Sequence, residues 1–432
     1  MSNTITVGLL GLGTVGGGVI HILKEHQKEI SHKIGCEVEI KSVLVHDMKK
    51  VRDVGIDPAH MTDQYEDVTR DPDIDVVVEV MGGIEHTFSI LMDAINHQKH
   101  IVTANKDLVA QYGAELFQAS QENQCDFYYE ASVAGGIPII RSIMDGLSSD
   151  RITKMMGIVN GTTNYILTKM SKEGSDFDHV LKEAQELGFA EADPTSDVDG
   201  LDAARKMTIL SILGFSMPLN LEDVSVKGIR GLSISDIRYA EQLGYCLKLI
   251  GIADNNEHGV SVSVEPTLLP KDHPLTSVND EYNAVYVHGE AVGETMFYGP
   301  GAGQLPTATA IVSDLIAVIK NVRLGTTGAG YVNPQFGKKL KPKQASLTKK
   351  YLRLHVHDQP GMLMEMTQIF AEYDISFDQI IQLPTDTPEE RELMMITHQV
   401  DEERFGKALE DLNKLETVRS VDSVFRVEGG QS

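Results

Sequence analysis

Over residues 5–140, short runs of apolar and β-branched residues alternate with longer stretches in which apolar residues recur every three to four positions. The runs "ITVGLLG", "EIKSVLVH", "IDVVVEVMG", "HIVTANK" and "DFYYEAS" predict strands, and the stretches between them predict covering helices. Such alternation favours a parallel sheet with covering helices, α/β, and "GLGTVG" directly after the first strand makes this part read as a Rossmann-type dinucleotide-binding domain. Residues 141–299 are mixed. Helical patterns at 178–188 and 200–213 precede two expected strands at 283–288 and 294–298, which gives an α+β domain. Residues 347–432 run strand, helix, strand, strand, helix, strand, the order of a ferredoxin-like βαββαβ sandwich.

These patterns divide the chain into a first domain at 1–140, completed by 300–325, a second at 141–299, a linker at 326–346 and a third domain at 347–432. The segment from Gly325 to Lys350 carries six lysines and no Asp or Glu, and is expected to be exposed. At 432 residues the chain is too long for one ordinary core. A net charge of −25 opposes phosphate backbones and anionic lipid, so the expected partner is a small molecule, with no nucleic acid and no membrane. No run of 18 apolar residues occurs, and the N-terminus enters a strand without the features of a signal peptide; the expected location is cytoplasmic. Cys36, Cys125 and Cys246 form no metal-spaced pair and read as buried thiols in a reducing compartment.

The stretch "VGLLGLGTVGGGVI" supplies the first chemistry. Gly11, Gly13 and Gly16 fit G-x-G-x-x-G between a strand and a helix: a tight turn, a close approach of backbone amides to a pyrophosphate, and close packing of the helix on the sheet. At the end of the second strand run, Asp47 suits a ribose hydroxyl and so NAD, whereas Lys49, Lys50 and Arg52 suit the 2′-phosphate of NADP.

Ligand crevices of open α/β sheets lie beyond the carboxyl ends of the strands, which is where Lys106 falls. Glu130 begins a loop whose carbonyls, at Val133, Gly135 and Ile137, suit a weakly charged hard cation. In "GFAEADPTSDVDGLDAARKMTIL", Asp197 or Asp199 is expected to cap the next helix, and Asp202 and Lys206 stand four apart on one helix face, with Glu191 on the preceding loop. A lysine there can protonate a carbonyl oxygen as hydride reaches the carbon, and the carboxylates can grip an ammonium. A second glycine turn, "YGPGAGQLPTA", leads into a helix and is expected to close the cofactor cleft with Gly301 and Gly303. An aldehyde-oxidising enzyme would need a nucleophilic cysteine, but Cys125 falls in a strand run and Cys246 in an expected apolar helix, neither beside a base. A cofactor sensor acting on DNA would need a basic recognition helix, and none is legible.

"GLGTVG", "VVEVMGGIE", "TANKDL", "EASVAGGIPI", "GIVNGTTNYIL", "LGFAEADPTSDVDGLDAARK" and "GPGAGQLPTA" stand in an order that closely resembles homoserine dehydrogenases over residues 4–325, and residues 347–432 resemble an ACT domain. The resemblance implies NAD(P)-dependent interconversion of L-homoserine and L-aspartate 4-semialdehyde, on the route to threonine and methionine. It implies Lys206 as proton donor, Glu191 and Asp202 as substrate ligands, and Lys106 between substrate and cofactor. The implied cofactor contacts are Gly11, Leu12, Gly13, Thr14, Val15, Gly16, Lys106 and Gly303, and Glu130, Val133, Gly135 and Ile137 match a monovalent-cation site, usually sodium. Many members have an arginine where this chain has His46, which leaves NAD against NADP open. "HDQPGML", with Gly361, resembles an effector loop, with threonine as the expected effector. Apolar strands such as "AVYVH" point to a homodimer or homotetramer.

Overall fold

The computed structural model describes residues 4–50, 55–328, 334–385, 387 and 389–429; Arg52 lies outside them. Two compact units divide the chain. One comprises Met1–Ile152, Arg205–Glu222 and Asn283–Gly337, and the other Thr153–Ala204, Asp223–Tyr282 and Lys338–Ser432.

In the first unit β1 (Thr4–Leu10), β2 (Glu37–Leu44), β3 (Met61–Thr62), β4 (Val76–Glu79), β5 (His100–Thr103) and β6 (Phe127–Tyr128) form a sheet in the order β3-β2-β1-β4-β5-β6. Every ladder in it is parallel. With both faces covered, its central strands are mostly apolar, and Val7, Leu9, Val76 and Val78 are fully buried. The strand order reverses at β1, which opens a crevice at the carboxyl ends of β1 and β4. Helix Thr14–Glu25 leaves β1, and helix Gln304–Leu324 packs against it from far along the chain. By length and composition Gln304–Leu324 would pass for a membrane span, yet its Ala308, Ile311, Leu315, Val318 and Ile319 lie in the core beneath the sheet.

In the second unit β7 (Ile152–Ile158), β8 (Val224–Val226), β9 (Tyr245–Asn256) and β10 (Gly259–Pro270) precede the hairpin strands β11 (Tyr282–Gly289) and β12 (Gly293–Pro300), which belong almost wholly to the first unit. The C-terminal part adds β13 (Leu347–His357), β14 (Phe377–Pro384), β15 (Glu390–Thr397), β16 (Val400–Asp401) and β17 (Val418–Val427). Here the strands run β7-β9-β10-β17-β13-β15-β14, with β8 beside β10 and β16 beside β13. Helices Met362–Glu372 and Glu402–Leu412 bury Met366, Phe370, Phe405 and Leu412 against Leu352, Leu354 and Leu393, so the βαββαβ reading holds. β17 joins this sandwich to the catalytic strands through the parallel pairs Thr267↔Arg426 and Leu268↔Val427.

Three expectations differ. Cys246 lies in β9, a strand and not a helix, and it is only half-buried. "AVYVH" is the buried interior of β11; exposed apolar residues of this hairpin include Tyr282, Val292, and Met296 and Tyr298 on β12. The lysine-rich segment is not a solvated linker throughout. Lys339 O accepts from Val260 N, Lys341 N donates to Val260 O, and the Lys341 side chain is buried on Asp254.

Candidate active site

Between β1 and its helix stand Gly11, Leu12 and Gly13. Gly11 has φ +105°, and a Cβ there would lie 2.9 Å from Val80 O; one on Gly16 would lie 2.4 Å from Gly11 O. Both glycines are demanded by the protein itself. A Cβ on Gly13 would meet nothing within 4 Å. Gly13 is also the cap of helix Thr14–Glu25, which no side chain caps, so its amide end faces open space. Leu12 and Val15 pack on the core, while Thr14 is exposed. The N-terminus of Gln304–Leu324 is likewise capped by a glycine, Gly303 at φ +118°, without a side-chain acceptor. Gly18 brings the two helices together, since a Cβ there would stand 2.7 Å from Gln304 O. Two uncapped helix N-termini side by side suit a pyrophosphate.

At the next strand ends, the buried Glu79 carboxylate accepts from Met81 N (2.7 Å), Gly82 N (3.1 Å) and Thr103 Oγ1 (2.5 Å). Burial raises its pKa although these donors oppose the shift. Asn105 donates to Gly83 O and caps helix Lys106–Glu122 by accepting from Leu108 N. Lys106 therefore sits in a helix's first turn, where the macrodipole disfavours a cation, so helix stability does not explain it. Glu79 and Asn105 escaped the sequence reading because an acid in an apolar strand and an Asn before a helix look like local structure.

Lys206 lies on helix Leu201–Phe215 in the first unit, and Asp202, one turn earlier, in the second. Arg205 Nε stands 2.9 Å from Asp107 Oδ1, which ties this helix to the start of the Lys106 helix. Asp202 is buried and accepts from Asn160 Nδ2 at 2.9 Å. Of the two expected capping aspartates, Asp197 accepts from Asn160 Nδ2 at 2.7 Å and Asp199 takes Arg230 Nε at 2.7 Å. Glu191 is exposed on a loop held by Gln185 Nε2 on Glu191 O and by Thr162 Oγ1 on Phe189 O.

Family models match the chain in three blocks: homoserine dehydrogenase at 138–316, its NAD binding domain at 11–130, and an ACT domain at 350–417. The homoserine dehydrogenase of Bacillus subtilis (strain 168) is 57% identical over 426 residues, 98% of each chain. The chain belongs to the homoserine dehydrogenase family. A crystal structure of a homoserine dehydrogenase from Thiobacillus denitrificans matches with a TM-score of 0.91 at 41% identity over 98% of both chains. A hyperthermophilic archaeal homoserine dehydrogenase in complex with NADPH matches with a TM-score of 0.62 at 25% identity, over 77% of this chain and 100% of that one. This homoserine dehydrogenase is thus an NAD(P)-dependent oxidoreductase with a C-terminal ACT domain.

In the loop after β6 the Glu130 carboxylate is already engaged, accepting from Ile140 N at 2.7 Å and Arg141 N at 2.9 Å. Gly135 has φ +53°, and a Cβ there would lie 2.4 Å from Gly301 O; Gly136 N donates to Pro300 O, so this loop docks on the second glycine turn. Beneath lies a cavity of about 60 Å³ lined by Glu130, Arg141 and Asp314 among others. Burial and the neighbouring Glu130 push the Asp314 carboxyl up to about 7. Val133 and Ile137 are buried in the same loop.

In the ACT domain Gly361 has φ +96° and opens helix Met362–Glu372, with nothing within 4 Å of its Cβ position. His355, Glu392 and Asp422 cluster within metal-binding range, but Arg353 already stands among them, 3.0 Å from Glu392 and 3.1 Å from Asp422.

Proposed function

We propose that Lys206 and Lys106 carry the chemistry by which this homoserine dehydrogenase interconverts L-homoserine and L-aspartate 4-semialdehyde. The observation carrying this reading is the Asp107–Arg205 ion pair, which joins the two helix segments that bear the lysines. Asp202 and Glu191 bind the substrate ammonium, and Lys206 delivers a proton to the carbonyl oxygen as the alcohol forms. Lys106 stabilises negative charge developing on that oxygen. In the oxidising direction Lys206 takes the hydroxyl proton, which favours oxidation at alkaline pH. NAD or NADP, when bound, supplies or accepts the hydride. The amides at Gly13–Gly16 and Gly303 hold its pyrophosphate, with Leu12 and Val15 shaping the turn and Thr14 at its open side.

A monovalent cation such as sodium would be held in the 130–137 loop by Glu130 and the carbonyls of Val133, Gly135 and Ile137. The buried carboxylates of Glu130 and Asp314 face one arginine, Arg141, so added positive charge is welcome there. Threonine is the proposed ACT effector, at the Gly361 turn. A cytoplasmic homodimer or homotetramer would cover Met296 and Tyr298 on β12.

The test is L-homoserine oxidation at alkaline pH with NAD and NADP separately, each with and without threonine, followed by the near-ultraviolet absorbance of the reduced nicotinamide. Lys206→Ala is expected to lower turnover by roughly 10²–10⁴ with cofactor affinity nearly unchanged. Unchanged turnover removes Lys206 from the mechanism.

A further inference from the structure

We infer that Asn160 is a positioning residue for the substrate's ammonium: its amide nitrogen holds the carboxylates of Asp197 and Asp202 in one fixed arrangement. This rests on the reading of Asp202 as a substrate ligand and extends it to two side chains that reading does not use.

Asn160 is buried at the cap of helix Gly161–Glu173. Its Oδ1 accepts from Thr163 N and Thr163 Oγ1, both at 2.9 Å. A backbone amide can only donate, so the oxygen end of the side chain is fixed and the NH₂ end must face the other way. There it gives one hydrogen to Asp197 Oδ1 at 2.7 Å and the other to Asp202 Oδ2 at 2.9 Å. The trigonal geometry of an amide nitrogen sets those two oxygens roughly 5 Å apart.

A helix cap does not require this. Serine, threonine or aspartate would serve the helix as well, because capping uses only an acceptor oxygen. What asparagine adds is a pair of donors aimed at carboxylates from two different elements, the short helix Thr195–Val198 and the first turn of Leu201–Phe215. Two carboxylates this close resist ionising together unless donors lie between them. An amide supplies the donors without a charge, so it orients the pair without cancelling the negative field. Lysine or arginine in its place would neutralise the pair and compete with an incoming ammonium.

Asn160→Asp separates the two roles, since it keeps the acceptor for Thr163 N and exchanges the donors for a third carboxylate. The expected result is a KM for L-homoserine raised about tenfold or more, with a smaller change in kcat and a cofactor KM close to wild type, while the buried third carboxylate lowers the melting temperature. Asn160→Ser, which keeps a capping oxygen and loses the NH₂, should move KM in the same direction, and it decides the matter if the aspartate variant fails to fold. Asp202→Asn is measured alongside. If it raises KM while both Asn160 variants retain the wild-type value, the inference about Asn160 is overturned alone. If Asp202→Asn also has wild-type KM, the substrate-site reading falls with it. Equal loss of affinity for substrate and cofactor would mark Asn160 as merely structural and overturn the inference.

Discussion

Arg205 Nε lies 2.9 Å from Asp107 Oδ1, so the residue before Lys206 is bonded to the residue after Lys106. Both partners are partly exposed, and such a pair contributes about 0.3–1 kcal/mol to stability. Its larger effect is on register. Arg205→Met is expected to lower kcat about 3–10-fold with little change in melting temperature, because misplaced reacting groups cost rate before they cost stability. A melting temperature that falls in step with kcat would reduce the pair to a fold contact.

Two glycines of the same run separate cofactor binding from packing. Gly13→Val puts a side chain where the protein has nothing, so cofactor affinity is expected to fall by about tenfold or more at unchanged stability. Gly18→Val meets the Gln304 carbonyl, so it should destabilise by about 1–3 kcal/mol. Thermal melts and a cofactor fluorescence titration on both variants distinguish the two effects.

At the ribose end, His46 and the exposed Lys49 and Lys50 follow β2, and the Asp47 carboxylate accepts from Lys49 N in a local turn. His46→Arg adds a permanently charged fork for a 2′-phosphate. The ratio of kcat/KM for NADP over NAD should rise about tenfold. No change would move the preference to another part of the loop.

Lys248 gives the enzyme a signature in alkaline solution. Its ammonium is buried in β9 on Asn164 Oδ1 (3.0 Å), Val278 O (2.7 Å) and Asn279 Oδ1 (3.3 Å), and burial lowers its pKa to about 8, with Lys172 adding to the shift and Cys246 and Asp280 opposing it. The folded protein therefore binds fewer protons than the unfolded chain between about 8 and the ordinary lysine value of 10.5. This contribution to stability is complete above the upper value and is lost as pH falls through the lower one, a span of roughly 3 kcal/mol. Melting curves of wild type and Lys248→Met across that window should diverge in slope; parallel curves would refute the assignment.

Removing the ACT domain should fail on structural grounds. β17 is seated between β10 and β13, and Glu428 bonds Lys154 of β7 at 2.5 Å. A chain ending before Leu347 leaves Thr267 and Leu268 on β10 without their partners, and an unpaired edge promotes association. Light scattering should show aggregation, whereas a monodisperse, active truncation would show that β10 does not need its neighbour.

The first sheet and the glycine loop were legible because each strand run is short, β-branched and followed by helical spacing, so that local pattern and tertiary position agree. β9 was not, because "YCLKLIGIA" is an apolar run broken only by Lys248, and periodicity cannot tell a buried strand from a buried helix. β3 has only two residues and no pattern to read. At the site, Lys106, Asp202 and Lys206 were singled out by their charge at strand ends and on one helix face. Asn160 was not, because "NGTT" reads as an ordinary helix start and its second use depends on aspartates far along the chain. The lysines at 338–341 misled, since charge predicted solvent where backbone pairing with Val260 held the segment down.

The helix that packs on the glycine-rich one is the last piece of its unit, and this has a consequence for synthesis. When residues 1–152 leave the ribosome, the small-residue face around Gly18 has no partner until Gln304–Leu324 follows. At ordinary translation speed that wait is on the order of ten seconds. During it the future nucleotide-binding unit is unfinished, with apolar surface bare to the cell. A gene cut between the units would encode two fragments that each lack part of a core.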